Sequence, residues 1–156
     1  MAREIERKFL VCGEGWRAGK SQVYRQGYLS TDNERTVRVR TAGERAFLTV
    51  KGVTRGATRA EFDYQIPADD AREMLDTLCL RPLIEKKRYL VEYDGLTWEV
   101  DEFLGDNHGL ILAEIELDSE DQVFKCPDWV GSEVTGDSRY YNASLVAHPY
   151  SEWRDD

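Results

Sequence analysis

Acidic and basic residues recur in this sequence as like-signed pairs two positions apart, and few folds can use such a pattern. The pairs are Glu4 and Glu6, Arg38 and Arg40, Glu61 and Asp63, Lys86 and Arg88, Glu99 and Asp101, and Glu114 and Glu116. Side chains of an extended strand alternate between faces, so each pair shares one face and the residue between them points away. The opening strand shows the rule: Glu4, Glu6 and Lys8 lie on one side, and Ile5, Arg7, Phe9 and Val11 on the other.

Further strands follow the same period. Residues 22–29 place Gln22, Tyr24, Gln26 and Tyr28 together, 36–40 pair the two arginines against two valines, and 47–52 set Thr49 and Lys51 against Leu48 and Val50. Residues 59–66 set Glu61, Asp63 and Gln65 against Ala60, Phe62, Tyr64 and Ile66, and strands over 84–90, 97–103 and 110–118 complete eight. Between 59–66 and 84–90, an apolar stripe of Ala71, Met74, Leu75 and Leu78 marks a helix capped at Asp69 or Asp70 and ended by Arg81-Pro82. A short helical turn is expected over 119–124, irregular chain over 126–135, and a last helix from an Asp137 cap to Ala147, stopped by Pro149.

Turn signals at 31–33, 42–44 and 93–95 favour antiparallel hairpins. Eight such strands can close into a barrel and so lose their exposed edges. Two arrangements are open. The charged faces can be wet around an apolar core, or they can turn inward around a polar tunnel while helices cover the apolar outside. The sorting of charge by sign, strand by strand, favours the tunnel. The expected fold is mainly β (α+β): one domain over residues 1–156, an eight-stranded antiparallel closed β-barrel with a charged interior and helices packed outside.

A chain of 156 residues suits one domain, and its formal charge of -9 disfavours nucleic acid and anionic membrane as partners. No run of about twenty apolar residues suggests a spanning helix, and the first residues lack the apolar middle of a secretory signal. Cys12, Cys79 and Cys126 form no CxxC pair and suit a reducing cytoplasm, while His108 and His148 stand alone. Residues 13–21 resemble a phosphate-binding P-loop, but Gly13 leaves five residues before Gly-Lys-Ser and Gly15 leaves three, where the motif requires four, so the stretch is read as a plain loop.

Collected on one surface, Lys8, Arg38, Arg40, Lys51, Lys86 and Arg88 would repel one another without an anion among them. Carboxylates clustered without histidine or thiolate suit a hard cation such as Mg²⁺ or Mn²⁺. A cavity holding both sets suits a polyanion bridged to metal, and hence phosphoryl transfer.

The segment Glu4-Ile5-Glu6-Arg7-Lys8 resembles the ExExK signature of the CYTH superfamily, the triphosphate tunnel metalloenzymes. The resemblance continues in order through Arg38-Val39-Arg40, Thr49-Val50-Lys51, Glu61-Phe62-Asp63, Lys86-Lys87-Arg88, Val100-Asp101-Glu102-Phe103, Ala113-Glu114-Ile115-Glu116 and 135–142. It implies an eight-stranded tunnel that binds a triphosphate with Mg²⁺ or Mn²⁺. Members include inorganic, thiamine and RNA triphosphatases and class IV adenylyl cyclases, and this short chain is most similar to bacterial inorganic triphosphatases. Carried over, Lys8, Arg38, Arg40, Lys51, Lys86, Arg88 and Arg139 bind phosphate. Glu4, Glu6, Glu114 and Glu116 hold metal, with Glu61, Asp63 and Asp101 as further acids. Asp63 departs from the usual Glu-x-Glu pair and has a shorter reach. Glu4, Glu6, Lys8, Tyr28 and Glu116 form the expected catalytic set.

The expected reaction is cleavage of tripolyphosphate to pyrophosphate and phosphate by a monomer or homodimer. Organic triphosphates, with thiamine or nucleoside groups, are the nearest alternative substrates. A non-catalytic polyphosphate-binding module is the alternative of another class.

Overall fold

Strand and turn chemistry act together from the first hairpins onward in the computed structural model, which describes residues 2–153. The outermost residues of the 1–156 domain lie outside the described ones. The strands are β1 (Arg3–Val11), β2 (Lys20–Ser30), β3 (Thr36–Ala42), β4 (Arg45–Lys51) and β5 (Thr58–Ile66). After helix α1 (Ala68–Thr77) come β6 (Ile84–Tyr93), β7 (Leu96–Phe103), β8 (Ile111–Glu116) and β9 (Val130–Glu133), then the short helix α2 (Ser144–Ala147). Asp94 and Gly95 both have positive φ, 50° and 80°, the backbone of the two-residue turn that matches strand twist between β6 and β7.

All neighbours are antiparallel, in the order β5-β4-β3-β2-β6-β7-β8-β1, and β5 returns to β1 to close the eight-stranded barrel. Closure uses only the start of β1, where Arg3, Glu4 and Ile5 pair with Ala60, Arg59 and Thr58. Further along the same edge, β9 takes over at Phe9 and Val11. This ninth strand falls in the stretch expected to be irregular. Arg7, on the outer face of β1, fixes it with a two-pronged bond to Glu133 at 2.5 and 2.7 Å.

The outward faces of β3 and β4 and of β6 to β8 are apolar and covered, while Phe62 and Tyr64 on the outer face of β5 are exposed. Helix α1 lays Ala71 and Leu75 over Val39 and Ala46 of β3 and β4. Burying a leucine such as Leu75 contributes about 1.5–3 kcal/mol. The helix begins after Pro67, with Asp69 and Asp70 in its first turn rather than capping it. On the opposite wall the cover is loop, not helix. Trp16, in a 3-10 turn over Gly15–Ala18, packs edge-on against Tyr89 at 4.9 Å, and Trp129 packs against Trp98 at 5.7 Å. The P-loop-like stretch is thus a wall segment. Its Gly19 lets β6 approach, because a Cβ there would stand 2.4 Å from the Leu90 carbonyl oxygen.

The last helix expected over 137–147 is divided. Asp137 does cap, accepting from the Arg139 N–H, but it caps only a 3-10 turn over Ser138–Tyr140. The chain then extends at Tyr141 and re-enters helix at α2. Tyr140, Ala143, Leu145 and Val146 pack on Tyr28, Ile84, Phe103 and Leu112, which continue the inward faces of β2, β6, β7 and β8. One end of the barrel is therefore filled by apolar side chains. Among the described residues, no helix is long and apolar enough to cross a membrane.

Candidate functional site

Eight strands turning alternate residues inward leave a cavity of about 410 Å³ inside the barrel. All six cations collected from the sequence line it: Lys8, Arg38, Arg40, Lys51, Lys86 and Arg88. Arg59 is a seventh, which the sequence reading passed over although it shares the parity of Glu61 and Asp63 on β5. Glu4, Glu6, Glu61, Asp63, Glu99, Glu114 and Glu116 form the acidic lining, and Tyr28 reaches the same space.

The charges pair across strand registers. Glu4 Oε1 accepts from Lys51 Nζ at 2.8 Å and from Arg59 Nε at 3.1 Å, and Lys51 also reaches Glu61 at 3.2 Å. Burial pushes Glu4 up, but these cations outweigh it and hold the carboxyl at about 2. Lys8 stands 3.6 Å from Glu114. Burial likewise opposes ionisation of Glu114, yet Lys8, Arg88 and Lys86 keep it well below the usual carboxylate range. Glu6 moves the other way: burial, then Glu114 and Glu4, raise it well above that range. Glu116 is raised by burial and by Glu4 and Glu99.

Two residues do not sit where the resemblance places them. Asp101 is buried behind the lining, where its oxygens receive Arg88 Nε and Nη2 at 2.8 and 2.9 Å and Lys86 Nζ at 2.8 Å. Its carboxylate clamps two cations and does not face the cavity. Arg139 is exposed on the outside and bonded to Asp137 at 2.8 Å, because the 3-10 turn directs it away from the barrel. Asp63 accepts the Thr49 hydroxyl at 2.6 Å, and Thr49 in turn accepts from Arg38 at 3.2 Å. The buried Nε of Arg38 has no partner, a donor left over beside the cavity.

The matching family model is the CYTH domain, over residues 2–150. The chain is 51% identical over 156 residues to an inorganic triphosphatase of Acetivibrio thermocellus, covering 99% of this chain and 100% of that one. It belongs to the CYTH family. It is also 40% identical over 147 residues to an inorganic triphosphatase of Nitrosomonas europaea, covering 92% of this chain and 96% of the relative. The crystal structure of the inorganic triphosphatase NE1496 superposes with a TM-score of 0.63 at 37% identity, covering 91% of this chain and 96% of that one.

The acids of this CYTH tunnel fit a hard divalent cation in one particular way. Burial first, and then the neighbouring carboxylates of Glu114 and Glu4, disfavour a charge on Glu6, and a cation could relieve that penalty. Among the described residues, no group of three carboxylate, histidine or cysteine side chains is gathered closely enough to hold an ion by itself. A hard divalent cation held by one or two carboxylates takes water and substrate oxygens for the rest of its shell.

Proposed function

We propose that this protein is a divalent-metal-dependent triphosphatase that cleaves inorganic tripolyphosphate to pyrophosphate and phosphate. The observation that carries the reading is the convergence of seven cations with a carboxylate wall on β1 and β8 in one cavity. The names of the two relatives support the same substrate. Among the described residues, the aromatic side chains in the lining are Tyr28 and Tyr141, and a lining this rich in charge favours an inorganic polyanion over one carrying a ring system.

Lys8, Arg38, Arg40, Lys51, Lys86 and Arg88 bind the phosphate oxygens, and Arg59 joins them. They hold the chain in line and stabilise charge on the transferring and leaving groups. Arg38 has an unpartnered donor to offer at once. One or two of Glu4, Glu6, Glu114 and Glu116 would hold the metal, and Glu61, which shares Lys51 with Glu4, lies beside them on β5 with Asp63. When bound, Mg²⁺ or Mn²⁺ supplies Lewis-acid polarisation of phosphate oxygens and lowers the pKa of water. Water attacks the terminal phosphorus, the bridging P–O bond breaks, and pyrophosphate leaves with the electron pair. Tyr28 presents a hydroxyl to this space and can donate to a phosphate oxygen or to the attacking water. Three free cysteines support a cytoplasmic location.

The test is phosphate release from tripolyphosphate, ATP and thiamine triphosphate side by side, with Mg²⁺, Mn²⁺ or EDTA. Fast metal-dependent release from tripolyphosphate is the expected result. Preference for an organic triphosphate, cyclic AMP formation, or tight metal-independent binding without turnover would each overturn it.

A further inference from the structure

The reaction above leaves one polar connection unused, and it joins the barrel wall to the C-terminal segment. Asn142 Oδ1 accepts from Lys86 Nζ at 2.9 Å and from Gln26 Nε2 at 3.0 Å. Gln26 Oε1 accepts in turn from Arg40 Nε at 3.0 Å. Gln26 and Lys86 are fully buried. The break in the last helix makes this possible. With Tyr141 extended, Asn142 reaches the cavity, and the Tyr140 carbonyl accepts Lys8 Nζ at 3.1 Å.

We propose that Asn142 and Gln26 are positioning residues of the substrate site, holding Lys86 and Arg40 aimed at the bound polyphosphate. The C-terminal segment then completes the site as well as filling the barrel end. The inference rests on the proposed reading of the cavity as a tripolyphosphate site.

Donor counting supports it. A lysine ammonium has three N–H bonds on a flexible stem. Asp101 and Asn142 take two of them, which fixes the nitrogen and leaves one donor for the ligand. Arg40 spends its Nε–H on Gln26 and keeps the rest of its planar fork for a two-pronged phosphate contact. The choice of amides matters too. A neutral carbonyl oxygen orients a cation without cancelling its charge, whereas a further carboxylate would compete with the anion. Holding two long side chains in place before binding removes part of the ordering cost of binding.

The test compares Asn142→Ala, Lys86→Ala, the double variant and Leu145→Ala, each assayed for tripolyphosphate hydrolysis and thermal unfolding. Asn142→Ala is expected to raise KM about tenfold or more, the worth of a hydrogen bond to a charged group. In the Lys86→Ala background, the same change should add clearly less than it does alone, because only the arm through Gln26 to Arg40 remains. Leu145→Ala loosens the buried packing of the segment without touching the relay, so it should lower Tm and leave KM in place. Equal effects of Asn142→Ala with and without Lys86, or a matching rise in KM from Leu145→Ala, would overturn the proposal. Tripolyphosphate binding in EDTA, measured by calorimetry, reads the same coupling without turnover. A wild type that binds without hydrolysing fails the proposed reaction alone, and the relay is then judged on Kd. A wild type that does neither overturns both.

Discussion

Replacing Asp101 with asparagine keeps the shape of the side chain and removes the charge between Arg88 and Lys86. Its effect separates a cation clamp from a metal ligand. In the wild type, the carboxylate meets Arg88 at 2.8 and 2.9 Å and Lys86 at 2.8 Å, with Asp101 and Lys86 both about 1% exposed. Breaking a buried pair by removing one partner costs about 3–5 kcal/mol. Arg88 keeps Glu99 at 2.9 Å, so the lower end applies. At about 2–4 °C per kcal/mol for a domain of this size, Tm should fall roughly 6–12 °C. The assay is thermal unfolding in EDTA without phosphate. Added tripolyphosphate should recover more of Tm in Asp101→Asn than in wild type, since the anion supplies the missing charge. Burial opposes ionisation of Asp101, but Arg88 and Lys86 hold it at about 2 against an ordinary 3.8. A depressed carboxyl stabilises the fold above its ordinary value and loses that contribution as pH falls toward the lowered one. The gap between wild type and variant should therefore close below about pH 4. An unchanged Tm in EDTA, with a raised metal requirement for turnover, would refute the clamp and return Asp101 to the metal.

Burial, with Arg88 and Arg40 close by, outweighs Asp101 and pushes Lys86 down to about 7. A bound polyanion favours the charged amine, so affinity should be full below that value and weaken as pH rises through it, by at most about tenfold per pH unit. Calorimetric Kd values for tripolyphosphate should rise less steeply with pH in Lys86→Arg, the ligand's own protons cancelling between the two proteins; parallel curves would refute this. Glu6→Gln copies the protonated form favoured in the empty cavity. It should leave Tm in EDTA unchanged while the metal concentration for half-maximal turnover rises about 10–100-fold; a Tm loss in EDTA would count against the proton. Arg40→Ala should raise KM about 10–100-fold, from charged hydrogen bonds of about 1.5–3 kcal/mol, and an unchanged KM would remove Arg40 from phosphate binding. Leu75→Ala, on the buried face of α1 against the outer wall, should cost about 2–5 kcal/mol in chemical unfolding and leave KM unaltered.

Parity made the barrel legible. A period of two assigned Glu4, Arg38, Lys51 and Lys86 to one surface without knowledge of which strands touch, because strand geometry allows no other choice. Arg59 carried the same signal and was missed because its like-signed partner is absent; its neighbours on that face are acids. β9 was hidden because it has four residues, Val-Gly-Ser-Glu, and holds its place through β1 and the Arg7–Glu133 bond. The filled barrel end was written across several strands. Ile84, Phe103 and Leu112 share parity with Lys86, Asp101 and Glu114, but no single strand shows that the apolar positions meet.

Residue roles were less legible than residue positions, because roles depend on register. Asp101 lies opposite Arg88 in the β6–β7 ladder, Glu114 opposite Lys8 between β1 and β8, and Glu61 opposite Lys51 between β4 and β5. Each places a carboxylate against a cation that a phosphate group would otherwise find unpartnered. Without those acids, seven cations in about 410 Å³ would repel one another and oppose folding. The lining acids can thus serve two states: the empty barrel, where they neutralise the cations, and the loaded one, where an anion takes over that task. Asp101 is set apart from them by being sealed behind the wall, where both oxygens are already engaged, and so it stays with its cations in either state.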